Sequence, residues 1–192
     1  MDCRIFRTGT ALLVASLAIS AASPQTAAAS PTLSPEQRLA AAGLTLPNPD
    51  PPVANFANAV EAGNLLFLAG HGECGQTLKS GKVGAELTID EGRRSAERVA
   101  LCMLASAKAA IGDLSRIERF VRIFGMVNAT EDFAQSPRVI DGFSNVMTTA
   151  FGQGGKAARA AVVVQSLPDR IPVEVEAIAL LRPRSALARS RR

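Results

Sequence analysis

Two charged side chains in the C-terminal third of the chain could act on a small carboxylate. Arg159 precedes the short apolar run 160–164, and Glu174 lies in the alternating run 173–181. An arginine can hold a carboxylate through two parallel hydrogen bonds, and a glutamate can orient or deprotonate water. Glu174 and Glu176 share a strand face, about 7 Å apart. Such a pair more often only faces water, and the structural alternative for Arg159 is an interface salt bridge.

The stretch that carries these residues predicts two strands. The first is 160–164, which is β-branched and suited to a buried strand. Leu167–Arg170 predicts a tight turn, and the second strand has Glu174 on the face opposite its valines. In such a hairpin Glu174 lies opposite Val164, and Arg159 is about 17 Å away at the rise of a strand. If both residues serve one site, we expect them to meet across a subunit boundary.

The other elements follow from periodicity and capping signals. Thr88 and Glu91 form a capping box before a helix that ends at Gly112. The remaining predictions are a hairpin formed by 53–61 and 65–70, a helix over 89–111, a strand over 117–127 and a helix over 138–151. The order β-β-α-β-α-β-β predicts an α+β domain in which two helices cover one face of a mixed sheet. The other face stays apolar, which predicts association through sheet faces.

The charge distribution argues against a nucleic-acid surface. The whole chain carries net +4, but the arginines of the tail and the N-terminal segment account for more than this, so that residues 30–181 carry about −2. Phosphate-tracking surfaces are basic. Residues 184–192 are predicted to be a disordered basic tail.

Residues 1–29 have the pattern of a signal peptide. Arg4 and Arg7 precede an apolar stretch that is too short to span a bilayer, and a small-residue cleavage site follows at 27–29. We therefore expect a periplasmic or secreted protein with no membrane segment after cleavage. Residues 30–52 form a Pro-rich N-terminal arm with a short helix from Pro35 to Ala42.

Cleavage would leave two cysteines, Cys74 in a loop and Cys102 on a predicted helix. In an oxidising compartment they could pair, but their settings favour two unpaired thiols. His71 is the only histidine, and the cysteine spacing matches no zinc pattern. We therefore expect neither a metal nor a cofactor.

The segment AARAAVVVQSLPDRIPVEVEAIA, residues 157–179, resembles the C-terminal signature of the RidA/YjgF family of reactive intermediate deaminases. The strand ending LFLAGHG resembles a divergent branch of that family. The resemblance covers about residues 50–183, with the family's domain assigned to 53–183. It implies a chorismate-mutase-like fold, β-β-α-β-α-β-β, and a homotrimer with a site in each cleft between subunits.

The resemblance also implies roles for single residues. Arg159 matches the family's arginine that holds the substrate carboxylate. Glu174 matches the glutamate that activates water, and Gly70 matches the backbone position that borders the site. Phe56 stands where the family has an active-site tyrosine, and Ala161 replaces a polar residue after the signature arginine. We therefore expect substrate contacts at Phe56, Gly70 and Ala161 in a cleft less polar than the family's.

The resemblance implies an enzyme that hydrolyses enamines and imines, such as 2-aminoacrylate and 2-iminopropanoate, to 2-keto acids and ammonia. The alternative is a non-catalytic trimeric protein of the same fold that binds a small carboxylate. The lost tyrosine hydroxyl and the export signal favour this alternative. Ribonuclease activity, reported for some relatives, fits poorly with an acidic domain that has no pair of histidines.

Overall fold

The computed structural model describes residues 33–75 and 80–183. The predicted signal peptide, 1–29, and the predicted basic tail, 184–192, lie outside the described residues. Within the described part, none of the helices has the length and the apolar character needed to cross a bilayer.

A short helix, α1 (Pro35–Ala41), opens the described chain. Its N-terminus is held by a reciprocal capping box: the Gln37 backbone N–H donates to Ser34 Oγ, and the Gln37 side chain accepts from the Ser34 backbone. Leu39 is buried. The helix predicted in the N-terminal arm is therefore present, and it packs against the third helix.

Strands β1 (Ala59–Ala62) and β2 (Leu65–His71) form the predicted antiparallel hairpin, which turns at Gly63 with φ +62°. Leu66 and Leu68 are buried, whereas Phe67 between them is 42% exposed. One face of the hairpin is therefore buried and the other is exposed, because successive side chains of a strand point to opposite faces. The first strand is shorter than the 53–61 predicted, because residues 53–56 and 58 lie in bends.

Helix α2 (Ile89–Ile111) has the predicted bounds. Thr88 and Glu91 form the capping box, and Gly112 ends the helix with φ +83°. Strand β3 (Ile117–Asn128) and helix α3 (Ser136–Phe151) follow, each within two residues of its predicted bounds. A three-residue 3₁₀ turn, Leu114–Arg116, joins α2 to β3.

Strands β4 (Ala158–Val164) and β5 (Val173–Leu181) complete the sheet, and here the predicted hairpin is wrong. The strand order is β1-β2-β5-β3-β4. Strand β5 lies between β2 and β3, antiparallel to both, whereas β4 is the edge strand and runs parallel to β3. The turn at Pro168–Arg170 therefore carries the chain over β3, and β4 is not a buried strand.

The sheet has one covered and one open face. Helices α2 and α3 lie over the face formed by alternate residues of β5, and the core fills the space between. On β5 these core residues are Val173, Val175, Ala177, Ala179 and Leu181, each at most 3% exposed. This is the α+β arrangement and the strand face that the sequence predicts.

No described element covers the opposite face. Val60 and Phe67 are 51% and 42% exposed, and Val121 at a bulge of β3 is 43% exposed. Arg122 also lies on this side of the sheet, where it donates to Glu176 and stacks 5.0 Å from the centre of the Phe124 ring. This exposed apolar sheet face is the one that the alternation of residues in the sequence predicted, and from which we predicted association through sheet faces.

The two cysteines form a disulfide, which corrects the expectation of unpaired thiols. The sulfur atoms of Cys74 and Cys102 are bonded, with their Cα atoms 5.7 Å apart. The bond ties the loop after β2 to the side of α2. The sequence suggested separate thiols because Cys102 lies among core positions, but its sulfur is on the side of α2 that meets this loop.

We expect the double variant Cys74→Ser/Cys102→Ser to unfold more easily than the wild type. The bridge closes a loop with a sequence separation of 28, and chain-entropy models give about 3.5 kcal/mol for a loop of this size. Urea unfolding of both proteins without reductant measures this difference. Adding a thiol reductant should lower the stability of the wild type toward that of the variant, whereas the stability of the variant should not change. Equal unfolding midpoints for the two proteins would contradict the prediction.

Candidate functional site

A cleft of about 570 Å³ lies at the end of β2. Its walls come from four parts of the chain: the segment before β1, the end of β2 with the loop that follows, one side of α2, and the turn before β5. Its lining includes Asp50, Phe56, Gly70, His71, Glu73 and Glu174. Phe56, Gly70 and Glu174, three of the residues implied by the resemblance, thus line one cleft.

Gly70 and Glu174 are in close contact. The β2–β5 ladder is interrupted by a register shift between Leu68 and His71, so that the strand turns its backbone toward Glu174. A Cβ atom at Gly70 would lie 2.1 Å from Glu174 Oε1. Only glycine leaves room for the carboxylate in its present position.

The Glu174 carboxyl holds its proton more tightly than an exposed glutamate does. Burial raises the pKa of Glu174, and the negative charge of Glu176 raises it further. A carboxylate with a raised pKa is a better proton acceptor at neutral pH. Glu174 therefore has the position and basicity needed to act on water in the cleft.

His71 is a cleft residue to which the sequence analysis gave no role. Its Nδ1 lies 2.7 Å from the Ala69 carbonyl oxygen, which can only accept, so Nδ1 carries the hydrogen. Nε2 is buried and has no hydrogen-bond partner. Burial lowers the pKa of His71, an effect that the Ala69 contact opposes. The one sequence feature that could have pointed to His71 is its position directly after the glycine that ends the strand, Gly70.

Arg159 and Ala161 do not line this cleft. Arg159 pairs with Ile123 of β3 and Ala161 with Gly125, on the face that the helices cover. Arg159 Nη1 donates to Asp141 Oδ1 and to Ser144 Oγ of α3, both at 2.9 Å. The guanidinium is thus at the edge of the sheet, paired with α3.

Arg159 and Glu174 are well separated within one protomer. Glu174 pairs with Met126, three residues along β3 from the partner of Arg159. Three residues and two strand spacings put their Cα atoms about 14 Å apart, with side chains on opposite faces. The hairpin register that put Glu174 opposite Val164 is wrong, but the inference that the two residues cannot meet within one chain remains.

In the part of the chain that the structure describes, no group of three or more His, Cys, Asp or Glu residues is arranged to hold a metal ion. The cleft offers a carboxylate, a neutral imidazole and strand-end backbone beside a half-exposed Phe56 ring. This arrangement can bind a small polar molecule and place water beside it.

The fold and the cleft define a class of protein: a chorismate-mutase-like α+β domain with a cleft beside the end of its second strand. Residues 36–175 match the family model described as "YjgF/chorismate mutase-like, putative endoribonuclease". Since the match covers most of the chain, the protein belongs to the RidA/YjgF family.

Three relatives show the extent of the similarity. Protein TCP17 of Trypanosoma cruzi is 34% identical over 140 residues, covering 71% of this chain and 87% of TCP17. The structure of Atu1372 from Agrobacterium tumefaciens, of unknown function, is 38% identical with a TM-score of 0.71, covering 77% of this chain and 94% of that one. The structure of a "putative endoribonuclease" from Shewanella oneidensis is 30% identical with a TM-score of 0.74, and the match covers 78% of this chain and 100% of that chain.

We expect Gly70→Ala to lower activity more than stability. The added Cβ meets the far end of the Glu174 side chain, which can swing away, so the free energy of unfolding should fall by about 1 kcal/mol, the low end of the usual cost of overpacking. The displaced carboxylate should cost on the order of 100-fold in turnover. Gly72→Ala is the matched control, since its Cβ meets Ile171 Cδ1 instead. An equal loss in both variants would contradict a specific effect on Glu174.

Proposed function

We propose that this protein is a hydrolytic deaminase of reactive imines and enamines, which it converts to 2-keto acids and ammonia. The observation that carries the proposal is Glu174, a half-buried carboxyl of raised pKa held against the Gly70 backbone in the cleft. Membership of the RidA/YjgF family supports it.

The proposal includes a homotrimer whose sites lie between subunits. The open sheet face, with Phe67 and Val121 exposed, supports an association that would cover it. Arg159 of one protomer would then reach the cleft of the next. Its present partners, Asp141 and Ser144, are at the surface, so a substrate carboxylate can replace them.

The chemistry needs only positioning and proton transfer. Arg159 would hold the substrate carboxylate in bidentate fashion. Glu174 would accept a proton from water as the oxygen bonds to the imine carbon, and the resulting carbinolamine loses ammonia once the nitrogen has gained a proton. One water enters, and one keto acid and one ammonia leave. Because imines hydrolyse readily, modest positioning suffices.

The endoribonuclease description of some relatives has less support in this chain. The cleft carries four carboxylate residues, Asp50, Glu73, Asp169 and Glu174, which repel a phosphate backbone. Binding without turnover is the second candidate, and the specific observation that favours it is Phe56, which puts a ring without a hydroxyl at the cleft.

We also propose that the protein is exported. The support is the signal-like segment 1–29 together with the Cys74–Cys102 disulfide, since disulfides persist in oxidising compartments. Fractionation of cells that express the full chain tests this proposal. Recovery of unprocessed protein from the cytoplasm alone would contradict it.

The test of function supplies an imine in solution. An amino-acid oxidase acting on alanine generates 2-iminopropanoate, and keto-acid release is followed with and without the purified protein while semicarbazide competes for the imine. Release faster than the blank supports deamination. Release equal to the blank, together with calorimetric binding of a 2-keto acid, would support the binding alternative instead. Sedimentation of the same sample measures the oligomeric state.

A further inference from the structure

We propose that the Cys74–Cys102 disulfide is a redox switch of the cleft. A small thiol that enters the cleft reduces the bond, and reduction releases one wall of the cleft and lowers its activity. The effect on imine hydrolysis rests on the proposed function, whereas the thiol exchange and the release of the wall do not.

The disulfide forms part of the cleft wall. Both cysteines line the cleft of about 570 Å³, Cys74 from the loop after β2 and Cys102 from α2. Cys74 is half-buried, whereas Cys102 is only 4% exposed. Because thiol–disulfide exchange depends on access to the attacked sulfur, a thiolate in the cleft reacts at Cys74.

The backbone of Cys74 favours the same direction of attack. Its N–H donates to Cys102 Sγ at 2.9 Å. When a thiolate bonds to Cys74 Sγ, the bond between the two protein sulfur atoms breaks and the electron pair leaves with Cys102 Sγ. A hydrogen bond to the charged form stabilises that form, and a stabilised thiolate is a better leaving group.

Complete reduction uses two thiol groups of the small reductant. The first forms a mixed disulfide with Cys74, and the Cys102 thiolate takes a proton from water. The second bonds to the sulfur of the first and displaces the Cys74 thiolate, which also takes a proton. Two electrons thus pass to the protein, and the reductant leaves as its own disulfide. The reverse exchange restores the bond, so the switch is reversible.

Reduction moves the loop rather than the helix. Two thiols cannot keep the short separation of bonded sulfur atoms. Cys102 is fixed in α2, where Ala100 and Met103 are fully buried in the core. The loop instead has a glycine on each side of Cys74, Gly72 and Gly75, and Gly75 adopts φ +71°, so its backbone can change conformation.

The loop also holds a second wall of the cleft. The Gly75 N–H donates to Asp50 Oδ2, and Asn58 Nδ2 donates to the Asp50 carbonyl oxygen, both at 2.8 Å. These contacts fix the segment before β1, which brings Phe56 to the cleft. A loop that moves away from α2 therefore loosens the Asp50 segment as well.

Reduction of the folded full-length protein by dithiothreitol tests the exchange. After alkylation, peptide mass spectrometry follows the release of Cys74 and Cys102. We expect a rate proportional to the dithiothreitol concentration and little changed by about 1 M urea, which promotes unfolding. A rate that levels off with dithiothreitol and rises steeply with urea would show that reduction requires unfolding, and would overturn the proposal.

Hydrogen exchange of single amides, measured by NMR on the oxidised and reduced protein, tests the release of the wall. The Gly75 amide should exchange about ten-fold faster after reduction, because its bond to Asp50 opens locally, whereas the amides of α3 should not change. An unchanged Gly75 amide, or equal acceleration in α3, would overturn a local switch.

The variant Cys74→Ser/Cys102→Ser reproduces the reduced state in the imine assay and cannot be reoxidised. Its kcat/KM should be about ten-fold below that of the wild type, since the walls that position the ligand are loosened. Leu39→Ala is the control: it removes a buried side chain of α1 that does not line the cleft, so it lowers stability but should keep the wild-type rate.

The outcomes separate the switch from the proposed function. Equal hydrolysis by the double serine variant and the wild type, or an equal loss in Leu39→Ala, would overturn the switch and leave the deaminase in place. Rapid exchange and a released Gly75 amide without imine hydrolysis in either redox state would retain the switch and reject deamination.

Discussion

Glu174→Gln should lower keto-acid release from 2-iminopropanoate by about 10²- to 10⁴-fold, the usual contribution of a positioned general base. The amide keeps the shape of the side chain and its place beside Gly70 but cannot accept a proton from water. The loss should therefore fall on kcat and leave KM nearly unchanged. Glu118→Gln is the matched control, because this glutamate is exposed and does not line the cleft.

The same variant should be at least as stable as the wild type at neutral pH. Burial and Glu176 disfavour the charged form of Glu174, and repulsion between two charges about 7 Å apart amounts to about 0.5 kcal/mol in a water-like medium. The folded pKa is raised, so the wild type loses stability as the pH rises through it. Below the ordinary value of 4.5, the two proteins should converge. Urea unfolding at acid and neutral pH measures this, and a variant less stable at pH 7 would contradict it.

Arg159→Ala should raise KM for 2-iminopropanoate by about ten- to a hundred-fold, because hydrogen bonds between charged groups contribute about 1.5–3 kcal/mol. Arg159→Lys should recover only part of this, since an ammonium cannot make the bidentate contact. Asp141→Asn removes the present partner of Arg159 and should leave binding intact or improve it. Equal KM values for Arg159→Ala and the wild type would reject the proposed carboxylate contact.

Mixing the two impaired variants, assayed at a substrate concentration well below both KM values, tests whether the site lies between subunits. If Arg159 and Glu174 of adjacent protomers form each site, trimers assembled at random from Arg159→Ala and Glu174→Gln chains contain intact sites at about a quarter of their boundaries. Co-refolded protein should then recover about a quarter of the wild-type rate. No recovery in trimers shown to be mixed would mean that one protomer supplies both residues.

The elements of this fold could be predicted from the sequence because their signals are local. The Thr88–Glu91 capping box and Gly112 fixed both ends of α2, and the alternation in β5 identified its buried face. The pairing of β4 with β5 was predicted wrongly because strands adjacent in sequence usually pair. Here β5 pairs with β2 and β3, and which strands pair is decided by packing over the whole sheet.

Only part of the candidate site could be predicted. Residue type and family resemblance singled out Arg159 and Glu174, and the distance between them implies a second subunit if both residues serve one site, even under the incorrect register. The position of His71 in the cleft lining could not be predicted, since a lone histidine in the sequence does not indicate which groups surround its ring. The disulfide was missed because a loop cysteine and a helix cysteine pair only if the fold brings their Cα atoms within reach.

The sequence by itself determined the helices, the strand faces and the residue types available for chemistry, since propensity, capping and alternation act over a few residues. Only the tertiary structure decided that β5 lies centrally and β4 at the edge, that Phe56, Gly70, His71 and Glu174 share a cleft, and that two cysteines join. These depend on contacts between residues far apart in the chain, whose geometry is set by the packing of the complete core.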